Sequence, residues 1–266
     1  MPEQIERSEG RRLFGTDPDA YDRARPDYPD WIFEDLVASG ALFPGAATLE
    51  IGAGTGLATR HLIAHGANPL TLLEPDTRFA DVLAHLPRPA GQTCIVRHEP
   101  FETAALAPGS FDLIVAATAF HWLEPTSALA RARTLLKSGG TLALMWNVFA
   151  VPGAPDPFHD ATASLLTPLA TSPSGAADAT PYPLDRAARE SEARAAGFRN
   201  VAYRESQGSI TLNPDGVVEL YATFSSIQRL TAADRDSVLS QLRAIADDRF
   251  EGRVIRNVTI CLYRFS

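Results

Sequence analysis

From Ala47 onward, short apolar runs bounded by turn residues alternate with stretches of helical periodicity, and that alternation leaves few folds open to the chain. Repeated strand-helix-strand units build a parallel sheet covered by helices, so the class is α/β. The apolar runs place strands over Thr48 to Ile51, Leu70 to Leu73, Thr93 to Val96, Phe111 to Ala116 and Thr141 to Trp146. Helices are expected near Leu57 to His65, Arg78 to Leu86 and Ser127 to Leu136, the last stopped by the Gly139-Gly140 pair. Ahead of this series, Ile32, Phe33, Leu36 and Val37 stand at helical spacing over residues 31 to 39. Residues 1 to 12 are polar and are expected to fray, since nothing apolar anchors them.

Beyond residue 150 the pattern loosens. Seven prolines, from Pro152 to Pro183, punctuate residues 151 to 183. They mark a long, mobile connection of the kind used as a lid, with a short helix near Phe158 to Leu166. Asp185 to Ala196 reads as a helix ended by Gly197, and Val201 to Thr211 and Val254 to Phe265 alternate as strands. Between those strands Val217 to Asp248 reads as two or more helices, the second capped by Thr231.

The chemistry concentrates where the first strand meets its helix. Thr48-Leu49-Glu50-Ile51-Gly52-Ala53-Gly54-Thr55-Gly56 sets three glycines between them, and absent side chains let backbone approach a ligand closely. Leu57 stands where the dinucleotide fingerprint requires its last glycine, and Glu50 puts an anion at the mouth of the turn, repelling phosphate and attracting a cationic group. Glu74 ends the second strand, where a carboxylate accepts hydrogen bonds from a ribose diol. The ligand expected on these residues, if they are more than a packing turn and a surface acid, is an adenosine with a cationic tail and no phosphate, which describes S-adenosylmethionine.

The composition narrows the partners. A formal net charge of −8 opposes the counterion release that drives nucleic-acid binding, so no nucleic acid is expected. Cys94 and Cys261 form neither a disulfide framework nor a cysteine zinc pattern, and the histidines make no metal motif, so no metal is expected. The charged first dozen residues do not read as a signal segment and no run of ~18 apolar residues occurs, so no membrane partner and a cytoplasmic location are expected.

Several further stretches extend the signature: Tyr21-Asp22-Arg23-Ala24-Arg25-Pro26-Asp27-Tyr28-Pro29, Glu74-Pro75-Asp76, Ser110-Phe111-Asp112-Leu113-Ile114, Phe120-His121-Trp122 and Leu136-Lys137-Ser138-Gly139-Gly140. With the glycine turn they resemble the class I S-adenosylmethionine-dependent methyltransferases, in particular the small-molecule, type 11 branch that includes trans-aconitate methyltransferase-like proteins. The resemblance covers residues 14 to 148 well and the remainder loosely. It implies a Rossmann-like, doubly wound, seven-stranded sheet whose last strand is antiparallel, with an N-terminal helical cap and a helical insertion before the last strand. The corresponding division is a cap over 1–45, a cofactor-binding core over 46–150, a lid or linker over 151–184, and the rest of the sheet over 185–266 with the insertion at about 213–250.

The same resemblance implies that Gly52, Ala53 and Gly54 line the methionine part of the cofactor and that Glu74 and Pro75 meet the ribose. Phe101 and Glu102 would flank the adenine, Ala117 and Thr118 would close the site, and Tyr21 and Arg25 of the cap would fold over the cofactor. His121, just beyond the fourth strand, is the candidate catalytic residue, as a general base or as a group that orients the acceptor. Phe149, Phe158, Tyr221 and Phe224 are candidates for an acceptor pocket or for plain core. The expected reaction is methyl transfer to a small-molecule acceptor, giving S-adenosylhomocysteine. Three rivals stand beside it: a dinucleotide-dependent oxidoreductase, for which Arg78 near Glu74 would hold a phosphate; a nucleic-acid or protein methyltransferase; and a protein that binds the cofactor for another purpose.

Overall fold

The computed structural model describes residues 3–154, 156–173 and 180–266. Residues 1 and 2 of the expected frayed terminus, and Pro155 and residues 174–179 of the expected lid, lie outside the described residues.

In chain order the helices are α1 Arg7–Gly10, α2 Pro18–Ala24, α3 Asp30–Ala38, α4 Leu57–Ala64, α5 Ala80–Ala84, α6 Pro125–Leu135, α7 Pro157–Leu166, α8 Arg186–Ala195, α9 Pro214–Ala222, α10 Ser225–Gln228 and α11 Ala232–Phe250. The strands are β1 Thr48–Ile51, β2 Leu70–Leu73, β3 Cys94–Arg97, β4 Phe111–Ala117, β5 Leu136–Val148, β6 Val201–Leu212 and β7 Val254–Phe265. They form one seven-stranded sheet in the order β3-β2-β1-β4-β5-β7-β6, with the last strand antiparallel. β1 pairs in parallel with both β2 and β4, so strand order reverses beside β1, and ligands of open α/β sheets bind beyond the carboxyl ends at such a point.

The chain divides into two compact units. One comprises Met1–Pro26, Asn147–Leu184 and Glu205–Ile260, and the other Asp27–Trp146, Asp185–Arg204 and Cys261–Ser266. In the second, β1 and β2 are buried at every position, as parallel strands covered on both faces must be. Pro125 starts α6, where the Glu124 carboxylate accepts from the N–H groups of Thr126 and Ser127 at 3.1 and 2.8 Å. Those bonds hold the Glu124 carboxyl down at about 2.

Two local expectations need correction in this unit. The helix expected over Arg78 to Leu86 is broken into a 3₁₀ turn, Thr77–Phe79, and the short α5. The Gly139-Gly140 pair does not stop a helix: α6 has ended at Leu135, and Leu136 already pairs with Phe111. Between that pair and Leu113↔Thr141 the register slips, leaving residues 137–140 opposite Asp112 in a bulge. Gly139 supplies the turn at φ +80°, and Gly140 the close backbone approach, since a Cβ there would lie 3.0 Å from the Phe111 carbonyl oxygen.

In the first unit the amino-terminal segment is pinned where fraying was expected. Ile5 is buried, its N–H donates to the Thr171 carbonyl at 2.8 Å, and Arg229 pairs with Glu3 and Glu9, each at 2.8 Å. One apolar side chain and a distant cation supply the anchor that the local sequence does not advertise. The core here joins Phe158 of α7, Val217 and Tyr221 of α9, Ile227 of α10, Val238, Leu242 and Ala246 of α11, and Val254 of β7. The three α11 residues recur every fourth position, which places them on one helix face.

Thr231 caps α11 as expected, its Oγ1 accepting from the Asp234 N–H at 3.2 Å. Thr231→Ala should therefore lower stability by about 1 kcal/mol, measured by chemical denaturation. An unchanged midpoint would show that the cap contributes nothing. No helix among the described residues is long and apolar enough to cross a membrane.

Candidate functional site

β1 delivers the chain to the glycine turn, and β2 holds it there. The N–H groups of Gly52 and Ala53 donate to the carbonyl of Leu73, the last residue of β2, at 2.8 and 3.3 Å. Gly52, Gly54 and Gly56 all take left-handed backbone, at φ +69°, +54° and +85°. Their surroundings differ. A Cβ on Gly52 would lie 2.8 Å from the Ala119 Cβ, and one on Gly56 would lie 2.7 Å from Leu86 Cδ1. A Cβ on Gly54 would meet nothing within 4 Å. Two of the glycines thus answer to packing, and Gly54 is the one whose bare backbone faces open space.

Two buried carboxylates stand behind this turn. Glu74, 6% exposed, accepts from the N–H groups of Gly54 and Asp76, one at each carboxylate oxygen and both at 2.9 Å. Burial raises its proton affinity, and the two N–H donors partly offset that. Each oxygen keeps a further lone pair for a ligand hydroxyl. Glu50, 1% exposed, accepts from the Thr59 hydroxyl at 2.6 Å. Burial pushes the Glu50 carboxyl up to about 8, against the pull of Thr59 and with a smaller push from Glu74. Glu50 is thus more deeply set than a residue at the mouth of the turn. A nearby cation would be needed to ionise it fully at neutral pH.

These groups fit a phosphate-free adenosine ligand with a cationic end. They do not fit a phosphate, which prefers N–H groups and cations without carboxylates behind them. Arg78 does not supply the missing cation: Asp76 holds its guanidinium in a fork, Nε and Nη2 lying 2.8 and 2.6 Å from the two carboxylate oxygens. Pro75 lies exposed between Glu74 and Asp76.

At the carboxyl end of β4, Ala117 and Thr118 are half-buried, and Thr118 sits at φ +53°. A β-branched residue there costs about 1–3 kcal/mol and persists only where its surroundings hold it. The Thr118 N–H donates to the Met145 carbonyl at 2.7 Å, and its hydroxyl lies 2.7 Å from that of Tyr28, a buried residue. His121 follows in a 3₁₀ turn, Phe120–Trp122, 5% exposed, with Nδ1 accepting from the Trp146 indole N–H at 3.1 Å. Phe101 is buried, its ring beneath the Arg131 guanidinium at 5.4 Å and its carbonyl bonded to Arg131 Nε at 2.7 Å. Glu102 is exposed. Direct contacts thus join Gly54 to Glu74, while no hydrogen bond described above ties Phe101 to either.

Thr59 and Trp146 were not legible as site residues, because neither belongs to a motif and only the fold brings them to Glu50 and His121. Tyr28 carried a signal, since with Tyr21 and Arg25 it belongs to the Tyr21 to Pro29 stretch, for which both a cap folded over the cofactor and plain cap packing were expected.

In the first unit, the Arg25 guanidinium lies between the rings of Tyr21 and Phe224, 5.2 and 5.0 Å from their centroids, and donates to the Thr223 carbonyl at 3.1 Å. Its Nε is buried without a hydrogen-bond partner. Phe149 packs on Phe224, and Phe158 and Tyr221 are core, so half of the four acceptor-pocket candidates are fully buried structural residues.

Residues 49–144 match the family described as a methyltransferase domain. An uncharacterized methyltransferase of Mycobacterium tuberculosis is 33% identical over 141 residues, covering 50% of this chain and 51% of that protein. The chain spans about half the length of the curated relatives it matches. Among solved structures, phosphoethanolamine N-methyltransferase 2 of Haemonchus contortus, in complex with phosphomonomethylethanolamine and S-adenosylhomocysteine, superposes with a TM-score of 0.54 at 15% identity, over 94% of this chain and 57% of that one. The 4+2 cyclase SpnF superposes with a TM-score of 0.58 at 15% identity, over 98% and 97%. The glycine turn with its two carboxylates and the strand order agree with that match: residues 49–144 are similar to a methyltransferase domain, and the chain shares the fold of the solved structures named.

Proposed function

We propose that this chain transfers a methyl group from S-adenosylmethionine to a small-molecule acceptor by in-line displacement. The observation that carries the reading is Gly54, whose bare backbone faces open space while its N–H is held by Glu74. In this reading Glu74, with Pro75 beside it, takes the ribose diol on its remaining lone pairs. Gly52, Ala53 and Gly54 line the methionine part, and Glu50 answers its positive charge. Ala117 and Thr118 close the site, and Phe101 and Glu102 flank the base. Tyr21 and Arg25 are further cofactor contacts on the strength of their motif.

Bound S-adenosylmethionine supplies a methyl carbon already activated by the sulfonium, so the protein's part is to align the acceptor and exclude water. The acidic balance of the chain supports a small acceptor over nucleic acid, and its sequence supports a cytoplasmic place for the reaction. Titration calorimetry with S-adenosylmethionine and with NADP, followed by S-adenosylhomocysteine formation across a metabolite panel, tests it. The expected result is saturable binding of the first alone, with turnover on some panel members; binding of NADP alone would overturn it.

A second reading is kept because SpnF, a cyclase by name, has the same fold. Cofactor binding without S-adenosylhomocysteine formation on any acceptor would favour it.

A further inference from the structure

Three arginines line one cleft at the edge of the sheet opposite the glycine turn. α8 runs to Ala195, and Gly197, in left-handed backbone at φ +91°, turns the chain so that Phe198 is buried. The next two residues are tied to the one that follows β7. The N–H groups of Arg199 and Asn200 donate to the Ser266 carbonyl at 2.9 and 3.0 Å, and the Ser266 N–H donates to the Asn200 carbonyl at 3.0 Å. Beside these bonds lies a cleft of about 320 Å³, with Thr141, Arg194, Arg199, Asn200, Arg264 and Ser266 in its lining. All six belong to the second unit. Thr141 stands in β5 four residues before Met145, whose carbonyl receives the Thr118 N–H at the carboxyl edge of the parallel strands. At ~3.3 Å a residue, the cleft is roughly 13 Å along the strand from that edge.

The cleft carries more positive charge than its neighbours balance. Arg264 pairs with Asp35 of α3, Nε to Oδ1 at 2.6 Å, and Arg204 takes the other oxygen of Asp35 at 3.4 Å. Arg194 and Arg199 are exposed, and among the described residues neither guanidinium makes an ion pair or a hydrogen bond. Three lining arginines against one shared carboxylate leave two positive charges, in a chain whose formal net charge is −8. The carbonyls that end α8 favour a cation at Arg194, in its last turn. They do not account for Arg199 and Arg264, which lie beyond the helix.

We infer that this cleft binds a phosphate-bearing small molecule, at a site separate from the cofactor's. A phosphate group carries about −1.5 to −2 at neutral pH, which matches the two unbalanced charges. Guanidinium forks set paired N–H groups against phosphate oxygens, and a cleft of this volume holds a small molecule rather than a lone ion. The assignment does not rest on methyl transfer, since it draws on no residue of the glycine turn.

Titration calorimetry of the full chain with sodium diphosphate, in about 0.15 M salt, tests it. Saturable binding to one site is expected, with or without S-adenosylmethionine present. Arg194→Gln and Arg199→Gln, both at exposed positions, should each weaken it about 10-fold or more and together abolish it, with S-adenosylmethionine affinity unchanged. Arg199→Lys keeps the charge and loses the fork, so it should fall between the wild type and Arg199→Gln. No saturable binding of diphosphate, or binding that survives the double variant, overturns the site. Weaker S-adenosylmethionine binding in the Gln variants overturns its separateness from the cofactor's. Nitrogen-15 NMR locates bound diphosphate independently: shifts are expected at the amides of Arg199, Asn200 and Ser266, and shifts confined to Gly52 to Gly56 overturn the assignment. Citrate bound as tightly as diphosphate overturns the choice of phosphate, and a single-stranded oligonucleotide bound more tightly overturns that of a small molecule.

Discussion

Gly54→Ala is expected to weaken S-adenosylmethionine binding by ~100-fold or more, while the unliganded protein loses only about 1–2 kcal/mol of stability. The small stability cost is that of placing an L side chain at φ +54°, since the new methyl meets no protein atom within 4 Å. The large binding cost arises because that methyl fills the space a ligand would enter beside the Glu74 carboxylate. Its neighbours should behave in the opposite way. Gly52→Ala drives a Cβ to 2.8 Å from the Cβ of Ala119, which has no rotamer through which to retreat, so backbone must shift. Strain and overpacking together should cost it about 2–5 kcal/mol. Gly56→Ala meets the far end of Leu86, which can swing aside, and should fall between the two. Chemical denaturation and titration calorimetry on the three variants separate packing from ligand approach. Wild-type affinity in a folded Gly54→Ala would show that the turn does not face the cofactor.

That division among the three glycines illustrates what the sequence could and could not reveal. Their spacing after an apolar run was enough to place a turn between β1 and α4, and β1, β2 and β7 fall where period and turn residues put them. Such signals are local, carried by neighbours along the chain. Which glycine is packed and which is open depends on Ala119 and Leu86, 67 and 30 residues beyond the glycines they meet, and no local pattern encodes that. The same holds for Ile5, whose partner is Thr171, and for Gly139-Gly140, which look like a helix stop until the bulge opposite Asp112 explains them. At the site, Glu50 and Glu74 were legible because topology fixes the ends of β1 and β2. The hydrogen bond to Nδ1 of His121 was not, because it comes from an indole 25 positions away that only the closed sheet brings within reach.

Stability of the unliganded protein is expected to fall as pH rises from about 5.5 to 8.5, and cofactor affinity to rise over the same interval. Unfolded, Glu50 sheds its proton near pH ~4.3; folded and buried, it holds it to about 8. Between those values the native state carries one proton more than the unfolded chain, so each unit of pH removes up to ~1.4 kcal/mol of stability. Glu74 is raised by burial in the same direction. Glu124 and Asp156 are shifted the other way, by backbone donors at Glu124 and by backbone donors with Arg256 at Asp156, and their contributions are lost only as pH drops below the ordinary carboxylate range. A scan from pH 5.5 to 8.5 therefore reads Glu50. A cationic ligand reverses the preference at Glu50, because its charge is satisfied only by the ionised carboxylate. Binding at pH 7 should then release a proton, seen as a dependence of the calorimetric heat on buffer ionisation enthalpy, and affinity should climb until Glu50 is ionised in the free protein as well. Glu50→Gln, close in shape but unable to ionise, should flatten both the stability slope and the affinity slope and bind S-adenosylmethionine more weakly at pH 8. Affinity that is level with pH and releases no proton in the wild type would mean that Glu50 supports the turn through Thr59 alone and does not answer the ligand's charge.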